Sequence, residues 1–196
     1  MNTREQILAA TERIIQEKGL ARVTTREIAR EVGCSEGTLY KHFVGKESLF
    51  LTVVQTCVPD LVDVVQVEMA GKQSVRENLE AIAHAAISYY EKLLPLSLSL
   101  FADQDLLARQ RQWMQEQQVG PLNIYHRVAL YIQAEQQLGR IKQELAPFTI
   151  AAALLGPCHH YVFVQCLSGC DPFPQTEKQF VQEIVETLLL GISVAE

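Results

Sequence analysis

Residues 24–46 read T-T-R-E-I-A-R-E-V-G-C-S-E-G-T-L-Y-K-H-F-V-G-K, and two short helices separated by a tight turn are written into them. Thr24 followed three residues later by Glu27 fits a capping box, in which each side chain satisfies an orphan backbone N–H, so a helix is predicted to begin near Thr25. Ile28, Ala29 and Val32 form its apolar face, and Gly33 follows as the residue best suited to the left-handed conformation that stops a helix. Ser35 then caps a second helix. At about 100° per residue, Leu39 and Phe43 share one side of that helix, Gly37 and Lys41 lie opposite, and Thr38 and Tyr40 fall between. One side is therefore hydrophobic and the other basic and aromatic. Gly37 lets the backbone come close to a partner, and the unpaired N–H groups near Ser35 to Gly37 suit a phosphate. Such a pair of helices is a helix-turn-helix, whose second member enters the major groove of duplex DNA.

The surrounding sequence extends the pattern. I-I-Q-E-K-G-L at 14–20, V-T-T-R-E-I-A at 23–29, S-E-G-T-L-Y-K-H-F at 35–43 and G-K-E-S-L at 45–49 together resemble the DNA-binding domain of the TetR (tetracycline repressor-like) family of bacterial regulators. The resemblance runs over residues 7–53, about the first quarter of the chain. Cys34 stands where Val is more usual and Ile15 where Phe is common, and both replacements are apolar enough to pack.

Charge is distributed in keeping with that reading. The 196 residues hold 17 Lys and Arg against 23 Asp and Glu, a net of −6. Residues 1–50 carry 8 basic and 7 acidic groups, a net of +1, and the remaining 9 and 16 give −7. A near-neutral head and an acidic remainder suit a protein that touches DNA with a small face, through a few salt-sensitive phosphate contacts. Five cysteines, an odd number without a C-x-x-C pair, point to a reduced, intracellular setting, and no secretion signal opens the chain. A cytoplasmic location is expected. Residues 148–170 contain no charged side chain and are long enough to span a bilayer, yet they include Gly156, Pro157, His159, His160 and Gln165. A buried helix at a dimer interface gives the same pattern and is the preferred reading.

Taken in order, the chain reads as all-α. A first helix is predicted from about Thr3 to Lys18, with Ile7, Leu8, Thr11, Ile14 and Ile15 on one side. A fourth opens at Gly45 and Lys46 and continues through Cys57 and Leu61, with a kink at Pro59 that is either a hinge or a fixed bend. Ser74 and Glu77 form a capping box for a fifth helix, which Pro95 is expected to end near Leu94. A short apolar helix over 96–102, a new start at Asp103, a helix over 122–138 and two final helices, 147–167 and 176–194, complete the chain. The expected division is a three-helix helix-turn-helix DNA-binding domain at 1–46 and a larger helical effector-binding and dimerisation domain at 47–196.

The resemblance implies that the last two helices pair with their copies in a second subunit. One recognition helix reads too few bases, and a two-fold dimer sets two of them about 34–36 Å apart on a symmetric operator. Candidates for that interface are His160, Phe163, Val164, Leu167, Phe180, Ile184, Val185 and Leu188. Family members bind a small effector among the middle helices, and the candidates here are Cys57, Leu61, Tyr89, Leu93, Phe101, Trp113, Gln117 and Tyr125, a set that favours an apolar or aromatic molecule. For DNA, phosphate contact is expected of Thr25, Arg26, Tyr40, His42 and Lys46 and of the Ser35–Gly37 backbone, and base-edge contact of Thr38 and Lys41. Glu36 either accepts from a cytosine amine or is a solvated charge.

Cys158, His159, His160, Cys166 and Cys170 invite a metal or thiol-switch reading. His159 and Cys166 share a helical face but stand roughly 10 Å apart along the axis, too far for one ion; only Cys166 and Cys170, one turn apart, could share one, with further ligands from a second subunit. Buried cysteines and satisfied histidines are the preferred reading, so no metal and no cofactor is expected. Neither a nucleophile elbow, an H-E-x-x-H motif nor a glycine-rich phosphate loop is present, so an enzyme is not the expected class. The function read from the sequence is a DNA-binding transcriptional regulator, a homodimeric repressor released by a small molecule. A regulator that activates, or that takes no ligand, is the alternative.

Overall fold

A computed structural model of the chain describes residues 2–19, 22–56, 65–171 and 173–192. The architecture is all-α, and among the described residues the only extended pairing is an isolated bridge at Ile141. Helix α1 (Thr3–Lys18) begins with a reciprocal box: Glu5 N–H donates to Asn2 at 3.0 Å, and Asn2 N–H donates to the Glu5 carboxylate at 2.9 Å. Helix α2 (Thr25–Val32) is capped by Thr24, but the expected box is only half closed, because the Glu27 carboxylate pairs with Lys18. Gly33 takes the left-handed conformation, φ +74°, which an L side chain would strain. Helix α3 (Glu36–His42) starts at Ser35, whose hydroxyl accepts from Thr38 N–H at 3.1 Å.

Helix α4 (Lys46–Thr56) follows; its expected continuation through Leu61 and the kink at Pro59 lie outside the described residues. After a single 3-10 turn at Val67–Met69 come α5 (Val75–Phe101), α6 (Gln104–Gln117), α7 (Asn123–Gln137), α8 (Pro147–Ser168) and α9 (Glu177–Ile192). The Ser74–Glu77 box closes in both directions, and these bonds from Ser74 hold the Glu77 carboxyl below its usual pKa.

One expectation is corrected. Pro95 does not end the fifth helix; α5 continues through it to Phe101. Proline removes one backbone donor and crowds the preceding turn, a local cost of about 3 kcal/mol. Beyond it, Leu96 and Leu100 are 0% and 6% exposed, and each buried leucine returns about 1.5–3 kcal/mol. Continuing the helix is thus the better arrangement.

The chain divides into two compact units, Met1–Val58 with Lys92–Gln118, and Pro59–Glu91 with Val119–Glu196, so α5 contributes to both. In the first, Ile7, Ile28, Leu39, Leu49, Phe50 and Leu96 share a dry core. In the second, α7 packs along α8 over Val128, Tyr131, Leu154, Leu155 and Tyr161. That core also encloses Glu135, fully buried and compensated by Arg140 at 3.1 Å and by the Tyr131 hydroxyl, which donates at 2.9 Å. A carboxylate is tolerated there because its charge is paired and hydrogen-bonded.

Candidate functional site

With only seven residues, α3 has one anchor in the core. Leu39 is fully buried, and Phe43 just beyond the helix is 3% exposed beneath the Arg4 guanidinium, 5.3 Å from the ring centroid. Everything else points away: Ser35, Glu36, Gly37, Tyr40, Lys41 and His42 are exposed and Thr38 is half-buried. The helical wheel had assigned the same sides. Thr38 is steadied by the Ser35 hydroxyl, 3.0 Å away.

Across the turn, the Thr25 hydroxyl donates to Glu36 Oε2 at 2.8 Å and lies 3.3 Å from the Tyr40 hydroxyl. Thr25, expected at a phosphate, thus has its hydrogen engaged within the head.

The cations of the head fall into two groups. Arg13 pairs with Glu31 at 3.2 Å, and Lys18 pairs with Glu27. Arg22, Arg26, Arg30, Lys41 and Lys46 have no carboxylate at ion-pair distance among the described residues. Unpaired guanidinium and ammonium groups gathered between residues 22 and 46 are what phosphates require. Arg22 and Arg30 were missed from the sequence. For Arg30 a signal existed, since a spacing of four places it on the same face as Arg26. Arg26 and Arg30 border a depression of about 610 Å³ at the junction of α2 and α3, with Cys34 and Glu36 on its rim.

Residues 7–53 match the domain described as "Bacterial regulatory proteins, tetR family". Residues 7–53 are thus an N-terminal domain of the TetR type. That domain is the DNA-binding part of bacterial transcriptional regulators. The chain is similar to the nucleoid occlusion factor SlmA of Marinobacter nauticus, 28% identical over 153 residues that cover 76% of this chain and 74% of that one. In fold it is similar to a TetR-family transcriptional regulator from Mesorhizobium loti, with a TM-score of 0.77 at 22% identity over 98% of this chain and 97% of the other. It is likewise similar to a transcriptional regulator from Saccharomonospora viridis solved in complex with choline, with a TM-score of 0.72 at 19% identity over 98% of each.

The effector candidates are scattered. Cys57 and Leu61 lie outside the described residues. Leu93, Phe101, Trp113 and Gln117 belong to the first compact unit, where Phe101 is 63% exposed and Gln117 is exposed. Tyr89 and Tyr125 belong to the second and meet there around Tyr90, which the sequence reading passed over. The Tyr89 and Tyr90 rings are 5.5 Å apart, and Tyr125 hydrogen-bonds the Tyr90 phenol; burial first, then Tyr125, push that phenol's pKa well up. His159 meets Tyr90 edge-on at 5.1 Å, and Phe148 stacks on Tyr125 at 5.8 Å.

On α8 and α9 the interface candidates separate into inner and outer residues. Val185 is fully buried within its own protomer, which corrects its assignment: the stripe on α9 is wide enough to pack inward and outward at once, and Val185 lies on the inward edge. Phe180 is half-buried in a cluster with Tyr161 and Phe173, at 4.7 and 5.1 Å. Phe163, Val164, Ile184 and Leu188 are half-buried, His160 is exposed and Leu167 is 68% exposed. A groove of about 800 Å³ runs between α8 and α9, with Ile150, Pro157, Phe180, Ile184 and Leu188 on its walls.

Among the described residues no group of three or more His, Cys, Asp or Glu side chains is arranged to hold a metal. Cys166 and Cys170 are exposed, whereas Cys158 is buried and its thiol is pushed up to about 12, mainly by desolvation. A thiol held in that form is a poor nucleophile.

Proposed function

We propose that this regulator is a homodimeric repressor that binds a two-fold-symmetric operator and leaves it when a small molecule occupies its body. The observation that carries the reading is the outward side of α3, where exposed Lys41 and His42 belong to a stretch, residues 22–46, with five cations free of carboxylates among the described residues. Thr38 and Lys41 read base edges; Arg26, Tyr40, His42 and Lys46, with Arg22 and Arg30, hold phosphates. Functionally the division falls at residue 46, with DNA contact before it and ligand and subunit contact after it.

Dimerisation through α8 and α9 is supported by the apolar groove between them and by the exposure of Leu167. Among the described residues α8 is the one helix long and apolar enough to cross a bilayer, and a subunit interface accounts for its lack of charge without a membrane. The setting is then the cytoplasm. Release by a ligand requires that the ligand bind the DNA-free arrangement more tightly than the DNA-bound one. The aromatic cluster of Tyr89, Tyr90, Tyr125 and His159 supports an apolar or aromatic effector, and the likeness to a regulator solved with choline supports a small one.

The test is to pass fragmented genomic DNA of the source organism over the purified protein and sequence what is retained. Recovery of a few symmetric sites ahead of genes whose transcription rises on deletion of this gene is expected. Retention of no defined sequence would overturn the reading. The likeness to SlmA of Marinobacter nauticus supports a second reading, a nucleoid occlusion factor whose output is not transcription; defined sites with unchanged transcripts would favour it.

A further inference from the structure

We infer that Glu36 is a positioning residue, not a reader of bases: through the Thr25 hydroxyl it fixes the rotation of α3 and presents the Tyr40 ring to DNA. The inference rests on α3 being the recognition helix. Thr25 has a single hydroxyl hydrogen, and it is donated to Glu36 Oε2 at 2.8 Å. Its oxygen, 3.3 Å from Tyr40 Oη, is then left to accept from the phenol. Carboxylate, hydroxyl and phenol therefore form one directed chain from the start of α3, across to α2, and back to α3 one turn later.

Such a chain has a purpose here. Leu39 alone within α3 is seated in the core, and a helix of seven residues pinned at one point can roll about its axis. Glu36 and Tyr40 are four residues apart and so lie along one edge of α3; tying both to Thr25 closes that freedom. The phenol still has an acceptor lone pair and the ring is 53% exposed, so Tyr40 meets its partner with the orientation already set. The chain also accounts for a carboxylate on a surface facing phosphates, where it would otherwise only repel.

That last point makes the inference falsifiable, because pure electrostatics predicts the opposite sign. Deleting an exposed negative charge from a DNA-facing surface should tighten binding. Glu36→Ala is expected to weaken binding about five- to tenfold, the net worth of one ordinary hydrogen bond at a solvated site, and by the same factor on every single-base variant of the site. Glu36→Gln, whose amide oxygen still accepts the Thr25 hydroxyl through a weaker, neutral hydrogen bond, is expected to recover most of the affinity that Glu36→Ala loses. Thr25→Val should weaken binding, and Thr25→Val with Glu36→Ala should be no weaker than the worse single variant, because the chain acts as a unit.

The experiment measures the affinity of the full chain for its retained operator by fluorescence anisotropy, with thermal melts of every variant. Glu36 and Tyr40 are exposed and Thr25 is half-buried outside the core, so melting temperatures should change little. Tighter binding by Glu36→Ala, additive losses in the double variant, or a loss confined to one base pair would each overturn the inference. Lys41→Ala, run alongside, keeps the two readings apart: if it too leaves affinity intact, α3 is not the recognition helix, and if it alone weakens binding, only the positioning role fails.

Discussion

The outward sides of α3 and of α8 with α9 are built on opposite terms. Helix α3 buries one side chain, Leu39, and turns Lys41, His42 and the Tyr40 phenol outward. Helix α8 has no charged residue in its 22 and buries Ile150, Leu154, Leu155, Cys158 and Val162, yet still leaves Leu167 and the walls of an apolar groove uncovered. Cationic and polar groups turned to solvent ask for a charged partner, and apolar ones for an apolar partner. On that contrast we propose DNA as the partner of the first surface and a second copy of the chain as the partner of the second.

The sharpest break of that contrast lies within α3 itself. Leu39→Ala should cost about 2–5 kcal/mol in urea unfolding, because it empties a filled site in the core, whereas Lys41→Ala should stay within about 0.5 kcal/mol of wild type. Equal losses would mean that the two sides of α3 are wrongly divided.

The next test sits on α9. Val185→Ala should lower stability by about 1–3 kcal/mol through lost burial and a cavity. Leu188→Glu should leave the protomer folded and weaken its self-association by at least about tenfold, read by sedimentation velocity, since a charge would be forced into an apolar contact. A Leu188→Glu chain that sediments as the wild type does would remove this groove from the subunit interface.

The smallest effect concerns pH. Burial, and then the neighbouring His160, hold the His159 imidazole below its ordinary value. The folded chain thus takes up this proton less readily than the unfolded chain, so the associated stability is full above about pH 6.5 and is lost as pH falls below it. His159→Gln should flatten the fall in melting temperature between roughly pH 7 and pH 5, where the wild-type curve slopes. Parallel curves would show that His159 carries none of that slope.

The two surfaces were unequally legible in the sequence. Those of α2 and α3 follow from local signals: a capping Thr24, a left-handed Gly33, a capping Ser35 and a wheel with one apolar side. Pro95 misled because its tolerance is decided elsewhere, by the burial of Leu96 and Leu100 against residues distant in sequence. Val185 misled for a related reason, since a wide apolar stripe announces burial without saying which edge faces the protomer's own core. Tyr90 went unnoticed because its hydrogen-bond partner, Tyr125, comes from a different helix. The Glu36–Thr25–Tyr40 chain likewise depends on how α2 meets α3, which no spacing rule states.

The most direct test of the head's role is binding of the wild type and Lys41→Ala to the retained operator and to its single-base variants. If α3 delivers this ammonium to a base edge in the major groove, the variant should bind at least about tenfold more weakly and lose discrimination at one base pair. An unchanged affinity with unchanged discrimination, in a protein that melts as the wild type does, would contradict it.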